Sequence, residues 1–508
     1  MVQVKILSTS DVHGYFTGDD FRRPLKNTGF GLARAATVIE QEKKAATEEL
    51  VITIENGDFI QGSPLTDYIE KQTSEEADLY QRLAQTVGYD VRILGNHEFN
   101  YGRTYLEKVF RDDQTLLNAN ILDKSTKRPF IGRPYQIFEK AGLKVAVIGV
   151  TTQYIPHWEK PENIKDLLFE DPVNVVSNLV ADLRPQVDKI VVAYHGGFNR
   201  DLKSGQAIEP ITQENQGTDL LAIEGVDALV TGHQHRTLAE VVNGKPITQP
   251  GYRGDHVGVI TLSDQQPSAK TIATATATEN STVVALVQPL LNQVNQWLDQ
   301  PVGHVGDNMR ITDHFSARLH GHPFTELINR VQMEATGATI SANAIFNDEM
   351  RGFDDTVTIR DVMTNYIYPN TLAVVALTGA EVVSALEQNA NYFDWQDGQP
   401  TVSSDYLYPK PAHFNEDIWS GVEYTLDLKK PRGQRISAVT IGGQAIDPQK
   451  KYEVVVNNYR AGGAGNGVFS HDKIIREGQT DVAQLIVDYL RQHPKISIDQ
   501  PTNVHVVN

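Results

Sequence analysis

Val91-Arg92-Ile93-Leu94-Gly95-Asn96-His97-Glu98 is the stretch on which the reading of the fold turns. Its first half is a short β-branched apolar run, with the length and composition of a buried strand. Its second half sets an amide, an imidazole and a carboxylate at the point where that strand ends. The same transition recurs along the first half of the chain. Val2–Leu7 runs on to Asp11-Val12-His13-Gly14, and Val51–Ile54 to Asn56-Gly57-Asp58. Ile190–Tyr194 leads to His195-Gly196-Gly197, and Ala228–Val230 to Gly232-His233-Gln234-His235. Another apolar run, Val145–Val150, has the same strand character, while Leu32–Ala46 and Pro172–Leu183 carry helical spacing. Strands alternating with helices predict a layered α/β domain. Open α/β sheets place ligands at the carboxyl ends of their strands, so the motifs are expected to converge in one crevice.

The residue types in these motifs are carboxylate oxygen, imidazole nitrogen and one amide oxygen, with no sulfur. Such a set suits Zn, Mn, Fe or a similar ion rather than a closed structural zinc site. Asp11 and His13, two apart on an extended turn, can face one ion, and Asp58 in its Gly-Asp corner is a natural bridging carboxylate. Glycine beside nearly every ligand lets the backbone approach closely and bend sharply. Taken singly, each motif is more often a polar turn: Asn96 reads as a helix N-cap, and His195 as a buried hydrogen-bonded histidine. Their shared position after strands of one domain is what points to a metal centre.

Composition narrows the rest. A chain of 508 residues with 40% apolar side chains, 38 Gly and 23 Pro has the profile of two globular domains, each with its own core. Lys and Arg number 46 against 64 Asp and Glu, a net charge of −18. That balance argues against a nucleic-acid polymer or an anionic membrane as partner, but not against a small anionic substrate. The absence of cysteine removes disulfide frameworks, thiolate zinc sites and cysteine nucleophiles together. No run approaches the ~20 apolar residues of a membrane span. The opening Met1–Leu7 alternates like a strand rather than a signal peptide. The expectation is a cytoplasmic protein as written, with a secreted or cell-surface form whose signal has been removed as the alternative; the oligomeric state stays open.

Further along, Lys270–Thr278 reads as an edge strand and Ser281–Asp299 as a helix with Pro289 inside it, stopped by Pro301 and Gly303. A polar connector follows. Helices are expected at Pro323–Thr336, Asp361–Tyr366 and Ala380–Asn391, and strands at Leu372–Leu377, Gly421–Leu428 and Tyr452–Asn457. The expected organisation is a first domain over 1–305, a linker or hinge over 306–320 and a second domain over 321–508.

The order Asp-x-His, Gly-Asp, Gly-Asn-His-Glu, His-Gly and Gly-His-x-His resembles the calcineurin-like metallophosphoesterases. The likeness continues in Tyr368-Pro369-Asn370-Thr371-Leu372, Gly421-Val422-Glu423-Tyr424 and Asn457-Asn458-Tyr459-Arg460 with Gly462-Gly463, which resemble the C-terminal domain of the 5′-nucleotidase family. Within it, the bacterial 2′,3′-cyclic-nucleotide 2′-phosphodiesterase/3′-nucleotidase branch is the nearest likeness. The resemblance implies an α/β (α+β) fold: a four-layer αββα sandwich followed by an α/β nucleotide-specificity domain. It implies two divalent ions, one on Asp11, His13, Asp58 and His235 and the other on Asp58, Asn96, His195 and His233. His97 matches the family's catalytic histidine. The family often sets an aspartate three residues later, where this chain has Asn100, which accepts a hydrogen bond but cannot stabilise imidazolium by charge. Tyr368 and Tyr459 match the aromatics that sandwich the base, a contact worth about 1–3 kcal/mol per base and tolerant of base identity. Two ions about 3.5–4 Å apart hold a hydroxide at neutral pH and neutralise the attacking and leaving oxygens. The implied reaction takes 2′,3′-cyclic nucleotides to 3′-nucleotides and then releases phosphate to give nucleosides. The alternatives are a 5′-nucleotidase or UDP-sugar hydrolase of the same family, and a non-catalytic nucleotide-binding surface protein.

Overall fold

Period-two alternation decides which way each strand of the first half faces. In Lys189–His195, Val191 and Ala193 point to one side, packing with Val4, Ile6, Ile52 and Ile54. Ile190, Val192 and Tyr194 point to the other, where Val176, Val180 and Leu183 of the helix Pro172–Leu183 cover them. Leu143–Thr151 obeys the same parity, with Val145 and Val147 inward and Ala146 and Ile148 outward. Each Val or Ile withdrawn from water this way stabilises the fold by ~1.5–3 kcal/mol. Two sheets therefore pack face to face with helices outside. These features come from a computed structural model that describes residues 3–507 apart from 23–28, 48, 210, 264, 265 and 369. Met1 and Val2 of the expected first strand, and Pro369 of the Tyr-Pro-Asn-Thr-Leu segment, lie outside the described residues.

The first six-stranded sheet runs, in order, Ser268–Ala273, His256–Leu262, Val4–Thr9, Leu50–Glu55, Val91–Ile93 and Leu116–Leu117. Its last four strands are parallel, in register Val4↔Leu50 and Ile54↔Val91. The second runs Thr237–Val242, Lys245–Pro250, Ala228–Val230, Lys189–His195, Leu143–Thr151 and Tyr135–Lys140. Its four central strands are parallel, with antiparallel partners at both edges. Every motif of the first half leaves the carboxyl end of one of these parallel strands. The helix Leu32–Ala45 packs against the strand His256–Leu262. Asp171 caps Pro172–Leu183, its side chain accepting from the amides of Val173 and Asn174.

The chain divides into two compact units, Met1–Asn295 and Gln296–Asn508, with the division inside the helix Ser281–Leu298. Residues 306–320, expected as a linker, carry the single turn Asp307–Met309 and the helix His314–His320 of the second unit, capped by Asp313 on the amide of Ser316. The second unit is built on a five-stranded sheet in the order Ile418–Ser420, Ile340–Asn343, Lys451–Asn457, Thr371–Thr378 and Ile474–Asp481. The expected helices form at Pro323–Thr336, Ile359–Asn365 and Gly379–Asn389. Two expected strands are shorter than read. The edge strand is Ser268–Ala273, and Glu423–Leu426 starts after Gly421, whose φ of +79° takes it out of extended backbone.

Candidate metal centre

Backbone conformation marks the site before any side chain does. Asp11 (φ 54°), His13 (52°), Asp58 (58°), His233 (69°) and His235 (56°) all adopt the left-handed region. A non-glycine residue held there costs of order 1–3 kcal/mol, and such residues cluster at functional sites where the surroundings over-determine them. Glycines make room for the turns. A Cβ on Gly95 would fall on Asp58 Oδ1, and one on Gly57, itself at φ +86°, would sit 2.7 Å from His195 Nδ1.

Glu98 fixes the corner that presents Asp58. Its fully buried carboxylate accepts from the amides of Asp58 (2.8 Å), Phe59 (2.7 Å), Ile60 (3.3 Å) and Gly95 (2.5 Å). Asp58 Oδ1 is then anchored by the amide of His97 at 2.7 Å. That leaves Asp58 Oδ2 facing His195 Nε2 at 3.2 Å and His13 Nε2 at 3.8 Å. Asp11 is arranged in the same way. Ser10 Oγ donates to its Oδ2 at 2.5 Å, and its Oδ1 faces His235 Nε2 at 3.4 Å, His13 Nε2 at 3.9 Å and His195 Nε2 at 4.0 Å. Asn96 Oδ1 stands 2.8 Å from His233 Nδ1 and 3.2 Å from His195 Nε2.

The far nitrogens of three histidines are held by partners that sequence alone does not reveal. His13 Nδ1 donates to the carbonyl of Gln61 (2.9 Å) and His195 Nδ1 to that of Asn56 (2.7 Å). His233 Nε2 meets Glu214 Oε1 at 2.9 Å. Such outer contacts fix ring orientation and tautomer, turning the remaining nitrogen lone pair inward. Trp158 stacks on His233 and Tyr252 on His235, with ring centroids 5.4 and 4.9 Å apart.

A cation fits this arrangement. Asp11 and Asp58 are 0% and 1% exposed, and among the described residues neither pairs with a Lys or Arg. His13 Nε2 and His235 Nε2 approach to 3.1 Å, and with its Nδ1 on the carbonyl of Gln61 His13 turns the Nε2 lone pair towards this point. Ligand atoms of Asp11, His13 and His235 lie within 4.8 Å of one another, as do those of Asp11, Asp58 and His195. Burial acts to raise Asp58, yet the imidazoles of His195 and His97 hold it well below the ordinary carboxylate range. Burial opposes charge on His195, but Asp58 and Asp11 push it up to about 10; burial brings His13 down to about 4 against the pull of Asp58. A proton on His195 thus stands where a metal ion would, and a bound ion would take its place.

The structure brings together Asp11, His13, Asp58, Asn96, His97, His195, His233 and His235, all in the first unit. Asp11 belongs to both clusters of ligand atoms, and Asp58 to the one with His195. Tyr368 and Tyr459 lie in the second unit, both half-buried, beside Phe346 and Phe414 respectively. The strand after Tyr368 begins where the strand before Tyr459 ends, in register Leu372↔Asn457, and the amide of Thr371 donates to Asn458 Oδ1 at 3.0 Å.

An αββα sandwich with paired carboxylates and histidines at the carboxyl ends of its strands defines a metal-dependent phosphoesterase. Residues 4–237 match the calcineurin-like phosphoesterase family, and residues 301–471 the 5′-nucleotidase C-terminal domain. The chain belongs to the 5′-nucleotidase family of calcineurin-like phosphoesterases. It is similar to the 2′,3′-cyclic-nucleotide 2′-phosphodiesterase/3′-nucleotidase of Haemophilus influenzae, with 27% identity covering 96% of this chain and 84% of that protein. The Salmonella typhimurium protein of the same name is 28% identical over 92% of this chain and 82% of its own length. Among solved structures it is similar to a Staphylococcus aureus protein, provisionally designated a 5′-nucleotidase and in complex with alpha-ketoglutarate. That likeness has a TM-score of 0.92, 36% identity and 99% of both chains covered.

Proposed function

We propose that this chain hydrolyses 2′,3′-cyclic nucleotides to 3′-nucleotides and then removes the remaining phosphate to give nucleosides. The observation that carries the reading is the likeness, over more than nine-tenths of the chain, to two proteins named for that pair of activities. One ion is assigned to Asp11, His13, Asp58 and His235 and the other to Asp58, Asn96, His195 and His233; the two ions supply Lewis acidity for activating water and neutralising both oxygens of the displacement. The protein's part is to hold these ligands at fixed angles in a buried site. His97, beside the ligand Asn96, gives a proton to the departing ribose oxygen or neutralises phosphoryl charge. In the second unit, Tyr368 and Tyr459 are assigned the base.

Assaying 2′,3′-cyclic AMP, 3′-AMP and 5′-AMP side by side tests the reading. The cyclic substrate is expected to be turned over best, 3′-AMP next and 5′-AMP poorly. Faster hydrolysis of 5′-AMP than of both others would shift the assignment to the 5′-nucleotidase reading while leaving the metal centre intact.

A further inference from the structure

The loop after the strand Leu143–Thr151 delivers a side chain that no motif contains. Glu159 is buried, at 7% exposure, and lies 59 positions from Asn100. Its Oε2 accepts from Asn100 Nδ2 at 2.7 Å, and Asn100 Oδ1 stands 2.7 Å from His97 Nδ1. The other carboxylate oxygen accepts from Asn163 Nδ2 and from the amide of Lys160, both at 2.8 Å. Asn163 also donates to the carbonyl of Asn100 at 3.1 Å, so the loop and the histidine turn are clamped together. Burial pushes the Glu159 carboxyl up from its ordinary range, and these three donors pull against that shift.

The order of donors and acceptors in this chain has one consistent reading. An ionised carboxylate offers only lone pairs, so Asn100 must turn its NH2 towards Glu159 and its carbonyl towards His97. Nδ1 of His97 then has to carry the hydrogen, and Nε2 is the nitrogen left for a substrate. Without Glu159 nothing would enforce this. Half a turn of the Asn100 amide exchanges its oxygen and nitrogen at little steric cost, and the imidazole proton would follow to Nε2.

We propose that Glu159 is the positioning residue that sets this polarity, holding Asn100 so that His97 keeps a hydrogen on Nδ1 and Nε2 is the nitrogen that passes a proton to the substrate. The inference rests on the reading of His97 as the catalytic histidine. It also explains how an asparagine serves where an aspartate would be expected: the negative charge sits one side chain further away.

Asn100→Asp, Glu159→Gln and the double variant test it. In E159Q the Lys160 amide keeps the new side chain's oxygen, so its NH2 faces Asn100 and favours the flipped Asn100 amide; kcat is expected to fall about ten- to hundredfold with KM and bound metal little changed. In N100D two carboxylates face each other, and kcat falls as well. The double variant rebuilds the native order, because the introduced aspartate accepts from both His97 and the introduced glutamine. It should recover most of the loss. Side-chain ¹⁵N shifts of His97 in zinc-loaded protein should show the Nδ1–H tautomer in the native and double-variant proteins and a shift towards the Nε2–H tautomer in E159Q. A double variant no better than the worse single, or a native tautomer in E159Q, overturns the proposal. Should E159Q not fold, N100D decides alone, and native kcat there refutes a charge held by Glu159. His97→Ala, run alongside, separates the levels: unchanged kcat in H97A removes the histidine from catalysis, whereas a fall in H97A with additive losses in the other variants removes Glu159 only.

Discussion

Asp58 shows how a residue is prepared for one task. Its amide is held by Glu98 and one of its oxygens by the amide of His97, and its other oxygen points at His195 and His13. Asp58→Ala or His233→Ala is therefore expected to lose metal while the first unit stays folded. Elemental analysis and circular dichroism together check this; full metal occupancy in an inactive variant would remove the residue from the ligand set. His97→Ala should keep its metal and lose turnover by roughly 10²–10⁴. The loss should shrink for a nitrophenyl phosphodiester, whose leaving group needs no proton. Equal losses for good and poor leaving groups would instead favour charge stabilisation. The side chains that converge at the centre were legible because each sits next to its neighbour in a short motif. Glu159 and Glu214 were not, since they reach Asn100 and His233 from 59 and 19 positions away, and a lone glutamate in a loop carries no spacing to read.

At the scale of elements, strand ends do the positioning. Gly95 leaves the strand Val91–Ile93 with no side chain because Asp58 occupies the space: a Cβ there would lie 2.5 Å from the Asp58 amide nitrogen as well as on its carboxylate. Gly95→Ala is expected to weaken metal binding and to lower stability by about 1–3 kcal/mol, the range for overpacking. Gly467, with nothing within 4 Å and no positive φ, is the control and should accept alanine unchanged. Thermal melting with and without added metal measures both. Buried parallel strands such as Leu143–Thr151 were readable as unbroken apolar runs. The hairpin of Thr237–Val242 and Lys245–Pro250 was not, because its outer strand is half-exposed and lacks such a run. The helix His314–His320 was likewise missed: at seven residues it is too short to show periodicity, and polar side chains fill its approach.

For the whole molecule, the sequence puts the boundary at 306–320, and the structure divides the chain between Asn295 and Gln296. Among the described residues no helix is long and apolar enough to cross a membrane. If Tyr368 and Tyr459 grip the base, replacing either with alanine should lower kcat/KM for nucleotides by about 1–3 kcal/mol, around ten- to hundredfold. A simple aryl phosphodiester, having no base to stack, should be hydrolysed as before; an equal loss on it would assign the tyrosines to folding.

The centre itself is tested most directly by stripping the protein of metal and titrating a divalent ion back while counting bound ions and following phosphodiester hydrolysis. Activity should vanish on stripping and return as occupancy approaches two ions per chain. Undiminished hydrolysis by metal-free protein, or full activity at a single bound ion, would contradict a two-metal centre built on Asp11 and Asp58.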